Sequence, residues 1–195
     1  LVGSEMCIRD SMYIDPADPA IIPFYQKMAE LNMPLLTHTG MEKSFSHAKD
    51  ELADPRKLDL PLSLGVTVIA AHIATTGHSH GEENFERILP MFTQHPNLYG
   101  DISSLTQINK LGYVEKVLGH PELKSRLIYG TDWPLQFFPL ISPWYHLDEL
   151  KISEAIAISK IKNQWDRDVA LKIGMGLDVE AFTLGSTFFV SAAQP

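Results

Sequence analysis

Val68-Ile69-Ala70-Ala71-His72, led in by Gly65-Val66-Thr67, is an apolar, partly β-branched run that stops on an imidazole. It reads as a buried strand bounded by a glycine and a break in the pattern. Two other stretches have the same form: Leu35-Leu36-Thr37-His38, and Leu127-Ile128-Tyr129-Gly130-Thr131-Asp132. Leu98 to Ser103, entered through Pro96-Asn97, adds a further strand of the same length. Helix-like sequence separates them, and strands alternating with helices imply a parallel sheet with right-handed crossovers. Such sheets open the C-terminal ends of their strands onto one face, where these folds place their chemistry.

Between the strands, Asp18-Pro19 followed by Ile21, Ile22, Tyr25, Met28 and Leu31 predicts a capped amphipathic helix. Glu42 to Leu60 is polar and irregular, with Asp54-Pro55 as a turn signal, and reads as a long loop leading into a short helix. Helices are expected over Glu82 to Gln94 (Phe85, Ile88, Leu89 and Phe92 on one face) and over Gln107 to Leu118. Pro90 counts against a straight course in the first of these. Pro134 to Tyr145 reads as a loop, Ile152 to Asn163 and Asp166 to Gly174 as closing helices, and Asp178 as the cap of a last segment. An open nucleotide-binding sheet wants a glycine-rich phosphate turn after its first strand. His38-Thr39-Gly40 offers one glycine, which favours a (β/α)8 barrel arrangement.

At 195 residues the chain has the length of one domain with a sizeable core. Charged residues make up 21% and apolar residues 45%, as in an ordinary globular protein. The formal charge of −8 disfavours nucleic acid or an anionic membrane as partner, since either wants a basic face. No apolar run approaches the roughly 18 residues of a spanning helix. A lone Cys7 excludes an internal disulfide framework and fits a reducing, cytoplasmic setting. The first eleven residues, Leu1 to Ser11, lack either periodicity and resemble translated adapter sequence. The native domain is therefore expected over residues 12–195.

Two imidazoles and a carboxylate at strand ends suit a catalytic divalent metal, which takes about three protein ligands and keeps one position open. Singly, His38 or His72 reads as well as a core histidine satisfied by backbone. Asp132 is costlier to bury without a cation or strong donors, and its bland alternative is a helix cap. Together the three point to a metal site. Asp101 reads as a hydrogen-bonding partner for Ser103, Ser104 or a neighbouring loop. His78 and His80 imitate a His-x-His pair but lie in a glycine-flanked loop, where solvent exposure or substrate contact is the better reading. Glu42 and His47 follow His38 in a loop long enough to reach the site. His95, His120 and His146 read as loop or helix-end residues without a role. No nucleophile-elbow pattern supports covalent acyl transfer.

His38-Thr39-Gly40, Ala71-His72 and Tyr129-Gly130-Thr131-Asp132-Trp133-Pro134, in this order, resemble the amidohydrolase superfamily. The likeness is to its amidohydrolase-related branch, which includes decarboxylases of the aminocarboxymuconate-semialdehyde type. It extends from about Asp15 to the C-terminus, through Trp165-Asp166-Arg167-Asp168 and Ala181-Phe182-Thr183. The resemblance implies a metal-dependent (β/α)8 barrel of which this chain carries strands five to eight, the C-terminal half. It implies His38 as the strand-five metal ligand and Asp132 as the strand-eight carboxylate that binds metal and handles the water's proton. His72 matches the strand-six histidine, a second-metal ligand in some members and a base or water-positioning group in others. Members also carry a His-x-His pair on strand one, and a full barrel needs about 250 residues. The chain alone is thus expected to be inactive.

The expected activity of the parent enzyme is metal-assisted hydrolysis of a small amide, ester or lactone. The ion would be Zn²⁺, with Mn²⁺ or Fe²⁺ as alternatives for histidine and carboxylate ligands. Non-oxidative decarboxylation is the nearest rival, but it wants a cationic or hydrogen-bonding pocket, and basic side chains near the strand ends are few, Lys43 being the nearest in sequence. A TatD-like nuclease would carry Glu-Thr-Asp where this chain has Gly130-Thr131-Asp132. A small-molecule substrate and self-association into a homo-oligomer are the expected partners.

Overall fold

The computed structural model describes residues 14–41, 50–133 and 139–190. The readings made for residues 1–11, Glu42, Lys43, His47 and the segment starting at Pro134 lie outside them, wholly or in part. The chain divides into two compact units, Leu1–Asp101 with Phe188–Pro195, and Ile102–Thr187.

In the first unit, Asp18 accepts a hydrogen bond from the Ala20 N–H at 2.8 Å and starts a short 3-10 turn. Helix α1 follows, Ile22–Glu30, burying Tyr25 and Met28 while Leu31 stays exposed. The Tyr25 hydroxyl donates to the Pro16 carbonyl, tying the entry of the chain to the helix. Strands β1 (Leu35–His38) and β2 (Val68–Ala71) pair in parallel, Leu35 opposite Val68 and His38 opposite Ala71. The hairpin strands β3 (His78–Ser79) and β4 (Glu82–Glu83) come next in the chain. β5 (Leu98–Asp101) then pairs in parallel on the other side of β2, with Val68 opposite Leu98. β2 is buried along its whole length. A strand covered on both faces needs an apolar run without alternation, and Val68 to Ala71 is one.

Between β1 and β2, Asp54 caps a 3-10 turn (Pro55–Leu58) by accepting from the Arg56 N–H. Helix α2, Asp59–Ser63, continues from it. Asn97 donates its amide to the Leu62 and Val66 carbonyls, holding the approaches to β2 and β5 together. Helix α3 spans Asn84–Gln94 and keeps going through Pro90. It buries Phe85, Ile88, Met91 and Phe92, each worth about 1.5–3 kcal/mol. Leu89, expected on this face, is half-buried, and Met91 takes the core position. Arg87 clasps Asp54 through Nε and Nη2 at 3.2 and 3.0 Å. Those hydrogen bonds hold its guanidinium pKa above the ordinary value, against the opposing effect of burial.

His78 differs from expectation in lying on a strand, though it is exposed as expected. His78 lies on β3, antiparallel to β4, and His80-Gly81 form the two-residue turn between them. Both turn residues have positive φ, 54° and 87°, as a hairpin turn matched to strand twist requires. His80 is exposed, as predicted.

The second unit begins where Ile102 donates its N–H to the Ile128 carbonyl at 2.9 Å. Strand β6 is only Leu127–Ile128, entered through a 3-10 stretch, Pro121–Arg126. The helix expected over Gln107 to Leu118 is broken into a 3-10 turn (Ile108–Lys110) and helix α4 (Tyr113–Leu118). Gly112 between them sits at φ 84°, outside helical geometry, and glycine takes that conformation at little cost. Helices α5 (Ile152–Ser159) and α6 (Gln164–Gly174) follow, α6 capped by Asn163 through the Trp165 and Asp166 amides. Asp178 sits at the cap position of the last turn, but its side chain pairs with Lys124 at 2.8 Å instead of the turn's amides. Among the described residues, no helix is long and apolar enough to cross a membrane.

Candidate functional site

His38 is the last residue of β1, and His72 follows the last residue of β2. Because His38 and Ala71 are register partners, the two rings arrive side by side. Their centroids are 5.3 Å apart at an interplanar angle of 68°, and both side chains are buried. His38 Nε2 lies 2.9 Å from the Gly40 carbonyl. A carbonyl only accepts, so Nε2 carries the hydrogen in this contact. A backbone carbonyl on one ring nitrogen is what commonly orients a metal-binding histidine through the other.

The motif His38-Thr39-Gly40 has a mechanical meaning. The Thr39 hydroxyl donates to the Ala71 carbonyl at 2.7 Å and accepts from the Ala74 N–H at 2.9 Å. It thus clamps both sides of the turn that carries His72. Gly40 sits at φ 91°, and a Cβ there would lie 2.5 Å from the Thr75 carbonyl oxygen. Only glycine lets β1 pass this close to the turn. From the other direction, the Thr75 hydroxyl and N–H both donate to the His72 carbonyl, at 2.8 and 2.9 Å.

This turn is strained. His72, Ile73 and Ala74 have φ of 59°, 45° and 54°, three consecutive left-handed residues without a glycine. Ile73, β-branched, pays the largest steric cost of the three. Its side chain lies over β5 at Gly100, where a Cβ would come 2.7 Å from Ile73 Cδ1. Strain of this kind persists only where the surroundings over-determine it, and it clusters at functional sites.

Asp132 belongs to the second unit. It is buried and also left-handed, with φ 49°. Tyr129 and Trp133 anchor the segment on either side of it. The Tyr129 hydroxyl donates to Asp168 Oδ2 at 3.0 Å, and its N–H donates to the Ala181 carbonyl at 2.8 Å. Trp133 meets the edge of Trp165 with centroids 5.5 Å apart. Asp168 is itself held by Lys172 Nζ at 2.5 and 2.7 Å and by the Thr106 hydroxyl at 3.1 Å, all in the interior. This Asp168–Lys172 pair was missed as a support for the Asp132 segment. Its signal was present as an i, i+4 acid–base spacing on α6, but that spacing more often marks a solvated pair.

Asp101, the last residue of β5, is buried. Lys110 is also buried and donates to Ser104 Oγ at 2.8 Å. His146 proves to be completely buried. The structure therefore joins His38 and His72 in one unit and gives Asp132 a strained, anchored position in the other. Imidazole and carboxylate are each donor types that a Zn²⁺-class ion accepts.

Comparison with solved structures agrees on the fold. An uncharacterized TIM-barrel protein from Bordetella bronchiseptica matches with a TM-score of 0.51 at 17% identity, over 93% of this chain and 54% of that one. A putative 2-pyrone-4,6-dicarboxylic acid hydrolase from Pseudomonas putida matches with a TM-score of 0.51 at 13% identity, over 93% of this chain and 60% of that one. The chain thus spans little more than half the length of either, and its α/β architecture with a parallel sheet is that of a partial TIM barrel. No curated protein matches the chain. A family model described as Amidohydrolase covers residues 10–157, the stretch that holds the His-Thr-Gly clamp, the His72 turn and Asp132, and the chain belongs to that amidohydrolase family.

Proposed function

We propose that the protein carrying this chain is a metal-dependent hydrolase of a small carbonyl compound, with His38, His72 and Asp132 as the ligands this chain contributes. The four strands β1, β2, β5 and β6 would be strands five to eight of its barrel. The observation that carries the reading is the pair of buried imidazoles at adjacent strand ends, one with its Nε2 committed to a carbonyl.

When bound, an ion of the Zn²⁺ class lowers the pKa of its water to about 7 and polarises a carbonyl. Asp132 takes a proton from the attacking water and returns it to the leaving group. Its left-handed backbone, braced by Tyr129 and Trp133, holds the carboxylate ready without reorganisation. His72 orients the water or donates to the oxyanion, and Thr39 fixes its turn. The substrate would be an amide, ester or lactone, and no nucleic acid partner is proposed.

The test assays the whole protein with added Zn²⁺ or Mn²⁺ on small amides, esters and lactones. The name of the Pseudomonas protein makes 2-pyrone-4,6-dicarboxylic acid the first compound to try. Asp132→Asn is expected to lower turnover by about 10³-fold or more with the circular dichroism spectrum unchanged. Near-normal turnover in that variant would overturn the role of Asp132. Release of CO₂ without uptake of water would replace hydrolysis by decarboxylation.

A further inference from the structure

The buried Asp168–Lys172 pair has a geometry more specific than charge neutralisation requires. Lys172 Nζ reaches both carboxylate oxygens, Oδ1 at 2.5 Å and Oδ2 at 2.7 Å. Each oxygen also accepts a hydroxyl from a different loop. Thr106 donates to Oδ1 at 3.1 Å, and Tyr129 donates to Oδ2 at 3.0 Å. The ammonium lies 5.5 Å from the centroid of the Tyr129 ring, close enough for attraction to its face.

The two loops start side by side, where the Ile102 N–H meets the Ile128 carbonyl. One then runs through Ser104 to Thr106, the other through Tyr129 to Asp132. Each passes through a left-handed residue that is not glycine, Ser104 at φ 53° and Asp132 at φ 49°. Backbone bent in this way persists only where its surroundings hold it. Thr106 carries the connection further. Its carbonyl oxygen lies 3.1 Å from Nε2 of the buried His146. Beside it, Gln107 bridges to Ile141, and the Ile108 N–H donates to the Leu140 carbonyl. Asp168 is thus where the Asp132 segment, the Thr106 loop and, through Thr106, the stretch from Leu140 to His146 are joined.

Stability is a poor reason for this arrangement. A buried ion pair often holds a fold no better than packed apolar residues would, because both charges must leave water. What the carboxylate supplies is direction. Its two oxygens diverge in one plane, so the hydroxyls bonded to them take set positions relative to α6 and to each other. We propose that Asp168, oriented by Lys172, is a positioning residue for the reaction assigned to Asp132, and that it couples the placement of Asp132 to the Thr106 loop. The proposal rests on the hydrolase reading for Asp132's part in turnover. A reacting group misplaced by about 1 Å can lose about 10²-fold in rate, so the coupling reaches the chemistry.

The test alters the hydroxyl on the other loop. Thr106→Val removes the bond to Oδ1 and leaves Tyr129 and Asp132 themselves unaltered. Amide hydrogen exchange in the full chain, read by mass spectrometry, should quicken about fivefold or more over residues 129–133 as well as 104–108, with α6 as protected as before. Thr106→Ser, which restores the hydroxyl, should return both stretches to the parent rate. Tyr129→Phe is the second variant and should loosen 104–108 in turn. In the whole protein, on whichever small amide, ester or lactone it hydrolyses, Thr106→Val should lower kcat about tenfold with KM within about twofold. Exchange over 129–133 that ignores the Thr106 hydroxyl overturns the proposal, for Asp168 then only packs the interior. So does a kcat that holds while this exchange rises, since the loops are then coupled without serving Asp132. The hydrolase reading survives either result. A parent that hydrolyses none of these compounds defeats that reading and the effect on turnover with it, while exchange still decides whether Asp168 couples the two loops.

Discussion

Thr39 does for the His72 turn what no other described side chain does: one hydroxyl serves both the Ala71 carbonyl and the Ala74 N–H. Thr39→Val keeps the shape and strips both bonds, leaving two buried backbone groups bare. Such groups cost about 1–3 kcal/mol each, so a loss of about 2–6 kcal/mol is expected in urea denaturation. Thr39→Ser should recover most of it, because the hydroxyl is restored. If stability is indifferent to the hydroxyl, the clamp has no structural weight. Gly40→Ala faces both a positive φ and the Thr75 carbonyl. Backbone cannot yield as a side-chain tip can, so a penalty of about 2 kcal/mol or more is expected from the same measurement. His38 and His72 were legible as candidates because each stops an apolar run. Thr39 was not legible as a clamp, because its partners lie 32 and 35 residues away.

At the level of elements, the strained turn and β5 are matched to each other. Ile73 rests on Gly100, and a methyl group there would press on Ile73 Cδ1 and Cγ1. Gly100→Ala should therefore destabilise by about 1–3 kcal/mol. Ile73→Ala placed in that background should cost less than in the parent, a coupling that a double-mutant cycle would reveal. Additive effects would mean the contact is slack. On α6, Asp168 neutralises Lys172 in the interior and receives the Tyr129 hydroxyl. Asp168→Asn leaves a buried ammonium short of its counter-charge, a change expected to cost about 3–5 kcal/mol in thermal or urea unfolding. Strands β1, β2 and β5 could be read from runs bounded by glycine, proline and asparagine. β6 has only two residues, and the helix after Gln107 is split because Gly112 adopts a left-handed conformation that periodicity does not register.

For the molecule as a whole, ligand linkage provides a test that does not depend on knowing the substrate. An ion held by the folded state at 100 times its dissociation constant adds about 2.7 kcal/mol to stability. Zn²⁺ should raise the unfolding temperature of the chain, and a chelator should reverse the rise. His38→Ala/His72→Ala should forfeit a share of it. An unchanged shift in that variant would place all of the ion binding elsewhere. The alternation of strands and helices, the parallel order of β1, β2 and β5, and the choice of His38, His72 and Asp132 as candidates follow from local pattern. Polar or charged residues at the ends of buried runs are costly, and the cost shows in one dimension. The clamp of Thr39 on the left-handed turn at His72, and the hold of Tyr129 and Thr106 on Asp168, depend on atoms brought together from distant parts of the chain. His146 meets Thr106 across 40 residues, and its tautomer is set only by that meeting. Spacing along a sequence carries no trace of which lone pair such a contact leaves bare.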